Sequence, residues 1–239
     1  MGRAFEVRKA SMAKTNAKKA KIYGKYGKEI YLAAKNGEPD PELNITLKRI
    51  IEKARKDQVP NDIIKRAVDK AKSGVAEDYQ AVQYEGFGPG SCTVIVECLT
   101  DNVNRSVSEV RNCFTKTDSK LGVSGSVSFM YNHNAVVSFS GLNEEETLEA
   151  LLMADVDVEE IEEEDGMVTV YGTPHDLYNI KTVIEETKEG IEFEMDEITW
   201  IPQNYVELEG EDRERFDKMM NMLDEVDDVT NVYHNVKSV

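Results

Sequence analysis

Residues 135–203 read AVVSFSGLNEEETLEALLMADVDVEEIEEEDGMVTVYGTPHDLYNIKTVIEETKEGIEFEMDEITWIPQ, and this stretch decides the fold. The β-branched and aromatic run at 135–139 predicts a strand. Asn143 stands three residues ahead of Glu146, the spacing of a capping box, and Leu148, Leu151 and Leu152 follow at helical intervals. The runs at 158–163 and 167–171 predict a hairpin around Asp165-Gly166. Thr173-Pro174 opens a second helix, with Leu177, Ile180, Val183 and Ile184 on its apolar face. A last strand is expected at 191–201. The order is βαββαβ, the split ferredoxin-like pattern.

The flanks are incomplete on their own. Between 78 and 134, Thr93-Val94-Ile95-Val96 predicts a strand, Val107, Val110 and Phe114 mark a helix, and 126–131 predicts a second strand. Tyr84-Glu85-Gly86-Phe87-Gly88-Pro89-Gly90 reads as a turn. After 203 come one helix, carrying Phe216, Met219, Met220 and Leu223, and one strand at 229–233. One helix and one strand cannot enclose a core, so they are expected to complete the sheet of 78–134. Residues 135–203 then become an inserted domain.

Residues 1–77 follow a different period. Gly37 and Pro39-Asp40-Pro41 end a first helix. Leu47, Ile50, Ile51 and Ala54 give a second, and Pro60 precedes a third whose face is Ile63, Ile64, Ala67, Val68 and Ala71. Gly74 closes it. The expected fold is α+β: an N-terminal three-helix bundle (1–77) and two ferredoxin-like α+β domains. One of these is discontinuous (78–134 with 204–239) and interrupted by the other (135–203).

Charge divides along the same lines. The 239-residue chain has a net charge of −17. Residues 1–77 carry 19 Lys and Arg against 10 Asp and Glu, a net of +9, and the remainder carries a net of −26. A basic end that meets a polyanion and an acidic body that avoids unspecific sticking fit this asymmetry. No apolar run approaches the ~20 residues of a bilayer span, and lysines interrupt any signal-peptide core. Three cysteines, Cys92, Cys98 and Cys113, make no disulfide framework and point to a reducing, cytoplasmic setting.

The first helix carries the sharpest functional pattern. Lys14, Lys18, Lys21, Lys25, Lys28 and Lys35 fall within a sector of roughly 100°, opposite Ile22, Tyr26, Ile30 and Ala33. Ordinary solvated faces mix both signs, whereas residues 1–35 hold ten basic residues against Glu6 and Glu29 alone. Such a stripe suits a phosphate backbone, where each Lys displaces condensed counterions. Arg3, Arg8 and Lys9 extend it into an N-terminal arm with Phe5. Arg105, in the polar loop 100–105 with Asn104 as its expected cap, is a further candidate for phosphate or an acidic partner.

The remaining motifs read as structure. The 86–90 turn lacks the Lys and Ser/Thr of a phosphate loop, and a strand follows it rather than a helix. His133, His175 and His234 lie in separate elements without metal-ligand spacing, and Glu162-Glu163-Glu164-Asp165 lacks the alternation of a calcium loop. No metal, cofactor or catalytic residue is expected. A hydrolase with paired carboxylates rests on acid abundance alone, and an acidic body docking a basic protein is a further class. No helix-turn-helix signature is legible.

Together these residues resemble the YebC family, the group that includes the mitochondrial translational activator of cytochrome oxidase. The matching stretches are Lys21-Ile22-Tyr23, Glu29-Ile30-Tyr31-Leu32-Ala33-Ala34-Lys35 with Asp40-Pro41 and Asn44, and Val59-Pro60. They continue in Tyr84-Glu85-Gly86-Phe87-Gly88-Pro89, Thr100-Asp101-Asn102 with Asn104-Arg105, Gly125-Ser126-Val127 and Val232-Tyr233-His234-Asn235-Val236. The resemblance implies three domains and a cytoplasmic, non-enzymatic regulator of gene expression. Members are widely described as DNA-binding transcriptional regulators. Others act in translation at the ribosome, contacting structured RNA and relieving stalling. The expected partner is therefore nucleic acid, DNA or ribosomal RNA, with the ribosome as the second setting and no membrane.

Overall fold

The computed structural model describes residues 19–73 and 78–237. They fall into two compact units. One holds the described residues up to Ser126 together with Glu209–Val232, and the other holds Val127–Leu208 together with the described residues from Tyr233. The architecture is mixed α and β, with a helical N-terminal region and two four-stranded sheets.

In the first unit, α1 (Lys19–Lys35), α2 (Ile45–Lys56) and α3 (Asn61–Lys72) form the helical region. Their apolar positions recur at helical spacing, and Tyr26, Ile30, Leu47, Ile51, Ala54, Ile64 and Val68 are buried together. Asn44 fixes the corner between α1 and α2. Its Oδ1 accepts from the Leu47 N–H (3.0 Å), capping α2, and its Nδ2 donates to the carbonyls of Ala33 (2.9 Å) and Glu38 (2.8 Å). Four residues, 57–60, join α2 to α3, with Gln58 in the left-handed region (φ 59°).

The sheet of this unit has the order β3-β1-β2-β8, from β1 (Gln80–Phe87), β2 (Thr93–Thr100), β3 (Lys120–Leu121) and β8 (Val229–His234). Two helices accompany it, α4 (Val103–Thr115) and α7 (Gly210–Glu225). Val110 and Phe114 of α4 and Phe216, Met219 and Leu223 of α7 are buried. The three thiols are buried as well, and burial pushes Cys92 up to about 12 and Cys98 up to about 11. Their nucleophilic thiolate forms are therefore suppressed at neutral pH.

The second unit contains β4 (Tyr131–Ser140), α5 (Glu144–Met153), β5 (Glu160–Glu164), β6 (Met167–Gly172), α6 (Leu177–Thr187) and β7 (Phe193–Pro202). Its sheet order is β5-β6-β4-β7, so the second, third, first and fourth strands of βαββαβ lie side by side. The first unit's sheet has the same order when β2, β3 and β8 are counted first, second and fourth; β1, from ahead of β2 in the chain, takes the third place. The Asn143–Glu146 capping box is present in full. Asp165 and Gly166 both have positive φ (53° and 76°), as a two-residue hairpin turn of the right twist requires. Ala135, Val137 and Phe139 alternate onto the face that packs with Leu151, Ile180 and Ile184.

Three expectations are corrected. The strand expected at 126–131 is a turn region: Ser126 N–H bonds back to Val123 (3.1 Å) and Met130 N–H to Val127 (2.9 Å), so these groups are used locally, and the strand begins at Tyr131. The turn expected at 84–90 is strand as far as Phe87, because Gln80↔Thr100 through Phe87↔Thr93 pair without a break; only Pro89–Ser91 turns. The cap of α4 is Asn102, which accepts from the Arg105 N–H (3.0 Å), rather than Asn104.

We propose that Val127–Leu208 is a domain inserted into the other α+β domain. Expressed alone, residues 127–208 should melt in one cooperative transition. A fragment with no cooperative melt would contradict this.

Candidate nucleic-acid interface

The lysine stripe of α1 is engaged within its own unit. Lys21 Nζ donates to the carbonyls of Asp224 (2.8 Å) and Leu223 (3.4 Å) and to Asp224 Oδ1 (3.4 Å). These carbonyls belong to the last turn of α7, where helix geometry leaves acceptors unsatisfied and the dipole favours a cation. Burial lowers the Lys21 ammonium from its ordinary value, and Asp224 partly offsets that. Lys25 Nζ donates to Asn231 Oδ1 (2.8 Å) on β8. Lys28 Nζ donates to the carbonyls of Leu99 (3.1 Å) and Asp227 (3.0 Å) and to Asp228 Oδ1 (3.3 Å). The side chains of Lys21, Lys25 and Lys28 are only 23, 28 and 19 % exposed. The expected solvent-facing stripe is corrected at these three positions, because acceptors near residue 225 line up with it.

Arg105 meets the same carboxylate. Its Nη2 donates to Asp228 Oδ2 (2.7 Å) and Asp101 Oδ1 (2.7 Å), and its Nε also reaches Asp228 Oδ2 (3.2 Å). These bonds raise the Arg105 pKa further above its ordinary value. The Thr100 hydroxyl donates to Asp228 Oδ2 (2.8 Å) and in turn accepts from the Asn102 N–H (3.0 Å). The Asp228 side chain is 3 % exposed. Burial alone would push its carboxyl up, but the bonds from Arg105, Thr100 and Lys28 outweigh that and hold it below the usual carboxylate range. Asp228 thus joins α1, the end of β2 and the start of α4. No local signal in the 224–228 acidic run distinguishes it from a solvated charge.

Lys35 is exposed and pairs with Asp78 (3.5 Å). Arg3, Arg8, Lys9, Lys14 and Lys18 lie outside the described residues. The other two helices also carry exposed cations. On α2, Lys48, Lys53, Arg55 and Lys56 are exposed and Arg49 half-buried, with Glu52 as the only acid of that helix. On α3, Lys65, Arg66, Lys70 and Lys72 are exposed beside Asp62 and Asp69. Cations in the last turns also complement the helix dipoles, but Lys48 and Lys65 lie outside those turns. Their signal in the sequence is the excess of bases over acids on α2 and α3, without the single narrow sector of the α1 lysines.

The histidines play different parts. His133 stacks on Trp200 in the second unit, with centroids 4.2 Å apart and planes 9° from parallel. His175 lies in the short turn Pro174–Asp176 ahead of α6. Among the described residues no group of three or more His, Cys, Asp or Glu could hold a metal ion, and no helix is long and apolar enough to cross a membrane.

Two family models match the chain. One, described as the TACO1/YebC protein N-terminal domain, covers residues 3–74, and the other, the TACO1/YebC second and third domain, covers 79–236. A protein of Alteromonas mediterranea is 55 % identical over 235 residues, spanning 98 % of both chains. One of Pseudoalteromonas translucida is 57 % identical over 236 residues with the same coverage. Each is named a probable transcriptional regulatory protein. A crystal structure of a conserved hypothetical protein from Aquifex aeolicus is 34 % identical, covers 94 % of this chain and 93 % of its own, and superposes with a TM-score of 0.75.

Proposed function

The chain belongs to the TACO1/YebC family, and from that premise we propose that it is a non-enzymatic, DNA-binding regulator of transcription acting in the cytoplasm. The observation that carries the reading is the charge of the helical end: a net of +9 over residues 1–77 in a chain of net −17, with five cations against Glu52 on α2. The names of the relatives support transcription. So does the four-residue link between α2 and α3, the length found in helix-turn-helix motifs. In this reading the exposed cations of α2 and α3, with Lys35 and the N-terminal Arg3, Arg8, Lys9, Lys14 and Lys18, lie along phosphates. Lys21, Lys25, Lys28 and Arg105 hold the basic helices on the sheet.

A second reading is a ribosome-associated factor that contacts structured RNA and relieves stalling. An open groove of tyrosines and cations between α1 and α3 favours it, since such surfaces suit unpaired bases.

The test is the salt dependence of binding by the full chain to duplex DNA and to structured RNA. Changing Arg55, Lys65 and Lys72 to Gln keeps good helix formers. Each lost phosphate contact should reduce the slope of log affinity against log salt by roughly 0.7 to 0.9, so the triple change should flatten it by about 2 to 3. Changing Lys21, Lys25 and Lys28 to Gln should lower the melting temperature. An unaltered slope in the first triple variant would sink the assignment to α2 and α3.

A further inference from the structure

Resting on the nucleic-acid reading, we propose that the groove between α1 and α3 receives an unpaired nucleotide of a single-stranded segment. The groove has a volume of about 680 Å3, within the range of small-ligand sites. Its walls combine aromatic and cationic side chains. Tyr23 and Tyr79 are half-buried there, and the exposed Arg66 and Lys70 of α3 line it as well. The Tyr79 ring meets Tyr31 edge-on, with centroids 6.0 Å apart, and the Lys70 ammonium lies 5.9 Å from the Tyr31 centroid. Aromatic faces for a base beside cations for its phosphate are the chemistry of sequence-tolerant single-strand binding. An anionic ligand also matches the excess of positive charge on this part of the chain.

Two glycines of α1 supply an independent observation. Gly24 and Gly27 both line the groove and lie three residues apart in the interior of α1. Interior glycines weaken a helix relative to alanine. Neither has positive φ. A Cβ at Gly24 would meet nothing within 4 Å, and one at Gly27 would meet only Ile63 Cγ2 at 3.9 Å, an ordinary contact. The fold therefore has no steric or conformational need for glycine at either place. Both glycines line the groove, and close approach of a ligand to helix backbone gives them a use.

The experiment compares the full chain with Gly24→Ala/Gly27→Ala on three fluorescent probes: an oligo-U strand, an oligo-dT strand of equal length, and a blunt duplex. The double variant should melt at or above the wild-type temperature, because alanine favours the helix. It should lose about tenfold in affinity for the single strands, the scale of one stacked base, and keep its affinity for the duplex. Tyr79→Leu should reproduce the single-strand loss. Whichever of oligo-U and oligo-dT binds more tightly identifies RNA or melted DNA as the source of the nucleotide. Wild-type single-strand affinity in the glycine variant, or an equal loss on the duplex, would overturn the groove assignment. The salt slope of the α2 and α3 variant stands independently of these results. A wild-type chain that binds none of the three probes would overturn both readings.

Discussion

Replacing Asp228 by Ala should lower the stability of the first unit by about 2–3 kcal/mol. Breaking a buried ion pair usually costs more, but Lys28 and Arg105 keep part of their hydration, which discounts the figure. A loss of that size moves the melting temperature down by roughly 5–10 °C. The cause is specific: the carboxylate serves Lys28, Thr100 and Arg105 at once, and its removal takes an acceptor from two cations and from a buried hydroxyl. Asp228→Asn retains the shape and should cost less than Ala. The pH dependence has a definite sign. The folded carboxyl is held below its unfolded value of about 3.9, so its contribution is complete above that value and is lost as pH falls through the lower folded one. The gap between wild type and Asn should therefore narrow in acid below about pH 4. Thermal melts across that range check the point; a gap independent of pH would show that the charge of Asp228 contributes nothing.

Gly86→Ala should cost about 2–3 kcal/mol, the upper part of the range for overpacking a filled core. An added Cβ would lie 2.4 Å from Phe114 Cε1 and 2.8 Å from the Lys120 carbonyl oxygen. Phe114 is fully buried and the carbonyl belongs to β3, so neither neighbour has room to withdraw. Gly88 differs, since its Cβ would press on the Cys92 Sγ and the terminal methyl of Met219 (2.6 and 2.9 Å) rather than on a ring and a backbone oxygen, and Gly88→Ala should cost less. Denaturant melts of the two variants give the comparison directly. Equal stabilities of Gly86→Ala and wild type would mean that Phe114 is not held as described.

The contrast between Gly86 and Gly24 marks how far sequence could be read. Period-3.6 patterning locates the inner faces of α2 and α3, because Leu47, Ile51, Ala54, Ile64 and Val68 recur at helical spacing and share one core with Tyr26 and Ile30 of α1. The βαββαβ order was legible for the same reason: its caps, hairpin turn and apolar alternation are local. Strand β1 was not. Its Gly86 and the Gly88-Pro89 that follow it look like a turn, and only pairing with Thr93–Thr100 makes Gln80–Phe87 a strand. The basic stripe of α1 is legible as a pattern, but the setting of Lys21, Lys25 and Lys28 in space is not. Its acceptors, Asp224, Asp228 and Asn231, lie about 200 positions away in the chain, and no window of sequence joins them. The same long reach hid Asp228, which looks like one acid in an acidic run.

Ultraviolet crosslinking in living cells, followed by mapping of the adducts on the protein and sequencing of the attached DNA and RNA, tests nucleic-acid binding by the basic helices most directly. The predicted result is adducts on peptides within residues 1–79, including α2 and α3, with the sequenced polymer deciding between transcription and the ribosome. Adducts confined to residues 127–208, or protein recovered without DNA or RNA, would contradict it.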